Sequence, residues 1–488
     1  MGRIEMNKFA GSMLAAAIVA VLSGCTVGPR YVKPDAPVPE KFDQDRDLAK
    51  EYRATDDPTQ AIVTESALWS AFNDPALSTL MSRAQQENKS IAQAAARLRE
   101  TRALRGLSFF SWFPTITAEA SGEKSRASNL DPFIPSGTGV TETYKEGFDA
   151  SWEIDLFGGS RQQKRAIYSE SYADAHLLDA ARLSVSAEVA QAFFALRGAQ
   201  ARLKIQNHNI ENLQRTDHIL EVRLKEGRGN ALELAQNRSL TLQVAAQVPN
   251  TEAEVVRQEQ RLAVLTAQTV TAVRDVLAMS KDMPVLPVLK TVGSPEQWIK
   301  RRPDVLAAEQ KFAAANARVG EKMADYFPKL NLFGSFGWTA QGFGDLGNSS
   351  GERWSYGPSI TWSFLNFGRV RQNVKAAEAR ADASAAAYQE SVLLALEDTE
   401  NALAQYRASN QSQQRLQEAE NQSRKARDLA RLRYDEGAAD FLSLLDAERT
   451  LLSAEDANVQ AKTAQATSLA RVYKALAGDF AGAAETKE

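Results

Sequence analysis

Over much of the chain, apolar residues recur at alternating steps of four and three. The series Val185, Val189, Ala192, Leu196, Ala199, Leu203, Ile210, Leu213, Leu220 and Leu224 forms one such seam, interrupted at Gln206 and Asp217. A period near 3.5 residues predicts a helix that packs on a neighbouring helix along its length. No proline lies between Ser136 and Val248, and none follows Pro358. Arg161–Glu226 and Arg369–Glu436 can therefore each run as one unbroken helix of about 100 Å. The second is diluted by alanine, as in RADASAAAYQE. Small side chains allow close helix approach, and alanine also favours helix for its own sake.

Four stretches switch to a period of two, at residues 113–126, 141–155, 327–340 and 353–364. In the second, Phe148, Ala150, Trp152 and Ile154 share one face, while Asp149, Ser151, Glu153 and Asp155 share the other. In the fourth, Trp354, Tyr356, Pro358, Ile360, Trp362 and Phe364 lie opposite Ser355, Gly357, Ser359, Thr361 and Ser363. The first sets Ile116, Ala118 and Ala120 against Thr115, Thr117 and Glu119; the third sets Leu330, Leu332, Phe336 and Trp338 against Asn331, Ser335 and Gly337. Alternation over about ten residues with aromatic side chains suits strands that cross a bilayer. It equally suits a small water-soluble sheet with one covered face.

These patterns occur twice in the same order. EGFDASWEIDLFGGSR (Glu146–Arg161) and GPSITWSFLNFGRVRQ (Gly357–Gln372) pair Trp152 with Trp362, Phe157 with Phe367 and Gly158 with Gly368, at an offset of 210. RLKEGRGNALELAQNRSLTL from Arg223 matches RYDEGAADFLSLLDAERTLL from Arg433 at the same offset, and Phe113-Pro114 matches Phe327-Pro328 at 214. The chain is thus an internal repeat. Each half reads helix, strand, loop, strand, very long helix, tight turn, shorter helix. Pro114 and Pro328 stand where helix becomes strand, and Gly158 and Gly368 where strand returns to helix. Both ends of each hairpin therefore face the same side.

The N-terminus supplies a location. Arg3 and Lys8 precede the apolar run Met13–Leu22, which is followed by Ser23-Gly24-Cys25. The run is too short to span a bilayer and has the form of a secretory signal. Leu22-Ser23-Gly24-Cys25 has the form of a bacterial lipobox, in which residues 1–24 are removed and Cys25 is diacylated through its sulfur. An ordinary signal with a chance cysteine is the alternative. A residue other than aspartate after the cysteine, here Thr26, directs a lipoprotein to the outer membrane. No other stretch could be a transmembrane helix, so any entry into the membrane is by β-barrel. Four strands cannot close a barrel, since known ones begin at eight, and open edges are not tolerated in lipid. The chain must then oligomerise. Two copies give a filled eight-strand barrel, and three give twelve strands and room for a passage.

Composition removes other function classes. A net charge of −3 over 488 residues leaves no basic footprint, so nucleic acid is not an expected partner. One cysteine and three histidines in helical sequence (His176, His208, His218) leave neither a disulfide nor a metal site to expect, and no cofactor is expected. No GxxxxGK[ST] phosphate loop occurs. Gly347-Asn348-Ser349-Ser350-Gly351 satisfies G-x-S-x-G but lies in an inter-strand loop with no helix after it, where a nucleophile elbow needs one. The chain is not expected to be an enzyme.

Three motifs now make a resemblance specific: CTVGPRYVKP after the lipobox, RRPDVLAAE from Arg301, and RYDEGAADFLSLLDAERTLLSAE from Arg433. With the repeat, they resemble the TolC-like outer-membrane efflux protein family, lipoprotein branch, over essentially the whole mature chain. The resemblance implies a mainly α fold with transmembrane β. Four strands per chain would join a trimeric twelve-strand outer-membrane barrel, continued by a long periplasmic α-helical barrel with an equatorial domain. On that plan residues 25–74 are an N-terminal and equatorial segment, 75–280 and 301–478 the two efflux repeats, 281–300 the equatorial linker between them and 479–488 a tail. Pro249 suits the family's stacked pairs of shorter helices.

The implied function is the passive exit duct of a tripartite multidrug-efflux system. An inner-membrane pump would drive it through a periplasmic adaptor, with the homotrimer standing in outer-membrane lipid. A duct for type I-like protein secretion and a non-conducting lipid-anchored coiled-coil scaffold are the alternatives. The turns at Glu226-Gly227 and Glu436-Gly437 would form the periplasmic mouth and dock the adaptor, with Arg223, Arg433, Tyr434 and Asp435 making ion pairs that hold it shut. Leu442 and Asp446 would line the constriction, Asp446 as a single acidic ring because the matching position in the first repeat is Gln236. Glu119, Asp149, Glu153 and Asp155 are expected in the barrel lumen. Trp152, Trp354, Tyr356 and Trp362 are expected against lipid.

Overall fold

The structure is a computed structural model that describes residues 26–35, 38–40, 42, 69, 72–126, 128, 139–280, 282–287 and 294–476. The signal segment, Cys25, most of the loop between the first two strands and the 479–488 tail lie outside the described residues. The chain divides into two compact units: Met1–Pro34, Leu98–Asp174 and Ala308–Tyr388 form the first, and Asp35–Arg97, Ala175–Ala307 and Gln389–Glu488 the second.

In the first unit four strands form one antiparallel sheet in the order β1 (Thr115–Arg126), β2 (Val140–Ile154), β3 (Lys329–Ala340) and β4 (Glu352–Thr361). The two hairpins are far apart in sequence, yet β2 pairs directly with β3. The register joins their apolar sides into one face. Ala118 lies opposite Phe148, Phe148 opposite Phe336, and Phe336 opposite Trp354. That face carries exposed Ile116, Phe148, Phe336, Trp354, Tyr356 and Ile360. Strand pairing starts just after each proline, at Thr115 and Lys329, because Pro114 and Pro328 have no N–H to give a ladder.

Two strand ends differ from expectation. β2 stops at Ile154, so Asp155 is not a strand residue. Its carboxylate accepts from the Arg161 backbone N–H at 2.9 Å and the Arg161 Nε at 3.2 Å, closing the turn into the next helix. β4 stops at Thr361, and Phe364–Asn366 form a 3-10 turn instead of extending to residue 364. In both places period two continues by chance into a turn whose conformation is set by the following helix.

Helices carry the rest of each repeat. The first has α1 (Pro75–Glu87) and α2 (Lys89–Phe110) before its hairpin, and the 67-residue α3 (Gly159–Lys225) after it. Next come α4 (Ala231–Ala245), α5 (Val248–Thr266) and α6 (Val270–Leu277). The second has α7 (Pro295–Ile299) and α8 (Pro303–Ala324) before its hairpin, then the 69-residue α9 (Phe367–Asp435) and α10 (Phe441–Ala475). The repeats differ where Pro249 opens α5. α10 has no proline and runs unbroken where α4 and α5 divide.

In the second unit the α3 seam is buried as its periodicity requires: Val185, Val189, Ala192, Leu196 and Ala199 are all covered. Asp217, which breaks the seam, accepts from Asn237 Nδ2 at 2.9 Å and Thr241 Oγ1 at 3.2 Å on α4. The interruption is a polar tie between the helices. Phe72 packs on Phe194 and Tyr473, with ring centroids 4.9 and 5.6 Å apart. Among the described residues no helix is long and apolar enough to cross a membrane.

The motif RRPDVLAAE has a local explanation. Buried Arg302 donates to Asp304 at 2.7 and 3.1 Å, to Asp398 of α9 at 3.0 Å and to the Ala475 carbonyl at the end of α10 at 3.0 Å. One guanidinium thus ties α8, α9 and α10 together. Burial alone would raise the Asp304 carboxyl, but the hydrogen bonds and charge of Arg302 outweigh it and hold that carboxyl below the usual aspartate value. Arg302→Met is expected to cost about 2 kcal/mol, less than a fully buried pair because both carboxylates are half-exposed. The folded-state value is depressed, so the stabilisation is complete above the ordinary aspartate value and lost as pH falls through the depressed one. Thermal unfolding of parent and variant should therefore differ by less in acid than at neutral pH.

Candidate functional site

Three places could serve a duct: the sheet, the attachment of the N-terminal segment and the helix turns. Among the described residues both outer edges of the sheet, on β1 and β4, have no partner strand. Along the meander β1 and β4 run in opposite directions, so β4 of one copy can pair antiparallel with β1 of the next. A head-to-tail contact of this kind can close a ring. The apolar face places Trp152, Trp354 and Tyr356 together on one side. Trp362 falls beyond β4, where its Nε1–H donates to the Tyr326 carbonyl at 3.0 Å.

Glu119, Asp149 and Glu153 share the polar face. The register also puts Lys145, Lys329 and Arg353 on that side, Arg353 in the same cross-strand row as Glu119. A reading of the acidic residues alone missed them; with Glu123, which the register puts there too, the polar face carries four acidic and three basic side chains and is close to balanced in charge. Asp155, paired with Arg161, adds no free charge to it. Phe333 is the large apolar exception, lying over Gly357 on the next strand.

The N-terminal segment is held where strand becomes helix. Val27 N–H donates to the Phe157 carbonyl at 3.1 Å, and Gln162 Nε2 donates to the Val27 carbonyl at 3.1 Å. Gly28 has φ of 132°, and a Cβ there would lie 2.6 Å from Gly320 Cα of α8. The chain can pass this close only as glycine. Tyr31 and Lys33 both donate to Glu309. Residue 25 is thus two positions in sequence from Val27, which is hydrogen-bonded to the turn between β2 and α3. This is the physical content of the VGPRYVK run.

The two helix turns are the same structure, 210 residues apart. Gly227 and Gly437 have φ of 72° and 73°. Arg228 N–H bonds the Arg223 carbonyl and Gly227 N–H the Leu224 carbonyl; Ala438 and Gly437 repeat this on Arg433 and Tyr434. Both are Schellman ends, which need a left-handed residue. Asn230 and Asp440 then cap the next helices through their side chains. Glu226 and Glu436 are exposed beside the two turns.

Among the described residues, the four side chains expected to form ion pairs at the turns make one hydrogen bond and no ion pair within the chain. Arg223 Nη1 donates to Tyr434 Oη at 3.1 Å, and Tyr434 stands edge-on to Phe441 at 5.6 Å. Arg433 and Asp435 make no hydrogen bond or ion pair within the chain through their side chains among the described residues. Consecutive helical residues point about 100° apart, so only one of 433–435 can meet Arg223. The strong pairs lie further along α9 and α10. Arg424 bridges Glu420 and Glu455, both at 2.8 Å, and Arg427 approaches Glu448 at 3.5 Å. Burial raises the Glu448 carboxyl against the opposing pull of Arg427. The i,i+4 spacing of Glu420 and Arg424 was the available sequence signal.

Leu442 and Asp446 are four residues apart on α10 and both exposed, with Phe441, Leu444 and Leu445 buried on the opposite side. The Asp446 backbone carbonyl accepts from Thr450 Oγ1 at 2.9 Å. Among the described residues no group of three or more histidine, cysteine or carboxylate side chains is placed to hold a metal. Gly347–Gly351 runs through a 3-10 turn at Ser349–Gly351 directly into β4.

The family model for outer membrane efflux proteins matches residues 80–268 and 294–478. OprJ, an outer membrane protein of Pseudomonas aeruginosa, is 28% identical over 97% of each chain. The toluene efflux pump outer membrane protein TtgF of Pseudomonas putida is 28% identical over 96% of each. The solved outer-membrane channel OprN superposes with a TM-score of 0.84 at 36% identity, covering 93% of this chain and 99% of that one.

Proposed function

The chain belongs to the outer membrane efflux protein family, and from that premise we propose that three copies close one twelve-strand barrel and export small toxic compounds through it. The observation that carries this reading is the sheet: one exposed apolar face, one polar face and two open edges that run in opposite directions. Lipid covers the apolar face and neighbouring copies satisfy the edges. Trp152, Trp354 and Tyr356 meet lipid, and Trp362 stands at the periplasmic rim. Glu119, Asp149 and Glu153 line the lumen together with Lys145, Lys329 and Arg353.

Cys25 is the lipid attachment, brought to the membrane surface by the docking of residues 26–28. The turns around Gly227 and Gly437 form the periplasmic mouth. Exposed Glu226, Arg433, Asp435 and Glu436 are offered to an adaptor or a neighbouring copy, while Arg223 and Tyr434 brace the mouth within one chain. Leu442 and Asp446 line the constriction. Transport is passive: an inner-membrane pump supplies the energy, and the chain carries out no reaction. Its G-x-S-x-G string supports that view, because it enters a strand instead of a helix. Nucleic acid has no part.

Planar-bilayer recording and drug susceptibility of a deletion strain test the reading. Discrete ion-conducting steps and lowered resistance to small amphipathic compounds are expected, with resistance restored by the cloned gene. A silent bilayer would leave a scaffold. Unchanged susceptibility with lost protein export would leave a secretion duct.

A further inference from the structure

Beside the docked N-terminal segment the first unit has a groove of about 1040 Å³. Thr26, Arg30, Arg161, Lys164, Arg165 and Tyr168 are among its lining residues. Glu309, which lines it too, is already held by Tyr31 and Lys33. Arg161 is tied to Asp155. Among the described residues Arg30, Lys164 and Arg165 have no carboxylate partner. The Lys164 ammonium lies over rings instead, 5.3 Å from Trp112 and 5.6 Å from both Phe109 and Tyr168. In a chain of net charge −3 this is a local excess of cations.

The surroundings indicate what neutralises them. Thr26 is the residue after the lipid attachment, so this side of the unit faces the outside of the barrel, where acyl chains can enter the membrane. Phe109 and Phe110 at the end of α2, and Trp112 and Phe113 between α2 and β1, are 51, 66, 48 and 51% exposed. They stand at the strand ends on the N-terminal segment's side, the level of an interfacial aromatic belt. We propose that this groove binds the phosphate headgroup of an anionic phospholipid of the inner leaflet, with its acyl chains along the Phe109–Trp112 surface. Arg30, Lys164 and Arg165 supply charge-assisted hydrogen bonds to the phosphate oxygens, and the aromatic residues cover the glycerol and upper chains. A free phosphate ion would use the cations and leave the exposed rings unexplained. The proposal rests on the reading of the sheet as a membrane barrel and of Cys25 as its anchor.

Native mass spectrometry of the full-length trimer, loaded with equimolar phosphatidylglycerol and phosphatidylcholine, tests it. Retention of phosphatidylglycerol is expected to exceed that of phosphatidylcholine about tenfold. The combined variant Arg30→Gln, Lys164→Gln, Arg165→Gln should bring the ratio to about one, the trimer peak in the same spectrum reporting folding. If that variant does not assemble, the single exposed change Arg165→Gln should lower the ratio severalfold. A Cys25→Ser trimer should keep the preference, which separates the groove from lipid carried by the anchor. Equal retention by the parent, an undiminished ratio in the variants, loss of preference with Cys25→Ser alone, or displacement of the lipid by millimolar inorganic phosphate would each overturn the proposal. A conducting trimer without the preference removes only the groove. A non-conducting one that keeps it removes only the duct.

Discussion

Replacing Phe148 by arginine is expected to sharply reduce the yield of membrane-inserted trimer, whereas Ser335→Arg should leave most of it. The two positions are near the middle of adjacent strands and on opposite faces of the sheet. Phe148 is exposed on the apolar side, between Ala118 and Phe336. A cation near the bilayer midplane costs about 2–4 kcal/mol, and each trimer would carry it three times. Ser335 shares a 2.8 Å hydroxyl contact with Ser355 on the polar side. Losing that contact costs about 1 kcal/mol, and the new charge would meet water. The measurement is the fraction of heat-sensitive trimer on unboiled gels after refolding into vesicles. Equal losses from both variants would mean that neither face meets lipid, and the barrel would have to be abandoned.

The second large effect is expected at the mouth. Asp446→Ala should raise single-channel conductance about twofold or more and weaken cation selectivity at the periplasmic end. The side chain is exposed in one chain and makes no hydrogen bond or ion pair among the described residues; Thr450 Oγ1 bonds the backbone carbonyl. Removing the carboxylate should therefore leave stability within about 0.5 kcal/mol of the parent. In a three-fold assembly the same residue occurs three times around one axis, so like charges repel unless cations or separation relieve them. Asp446→Asn, which keeps the shape and removes the charge, should reproduce most of the rise. Recordings indistinguishable from the parent in both variants would take Asp446 out of the constriction.

Much of this architecture could be read before any coordinates. Period two located four strands and their apolar face because sheet faces alternate strictly. Proline-free stretches located the long helices because one missing N–H is enough to break one. The pairing of β2 with β3 could not be read this way: nothing local in either hairpin specifies which edge meets which. Lys145, Lys329 and Arg353 have no local signature that marks them, and only the strand register puts them on the face of Glu119, Asp149 and Glu153. The Arg302 tie and the Arg424–Glu455 bridge join residues on different helices, which a single helical pattern does not bring together. Asp155 was misread because its alternation continued past the last ladder bond.

The two open edges of the sheet have a genetic corollary. A copy with a defective β4 could still offer its sound β1 to a neighbour and be built into rings it then spoils. With normal and defective alleles expressed equally and mixed at random, only about one ring in eight would be wholly normal. Such an allele should be dominant over the wild type, while a deletion should be recessive.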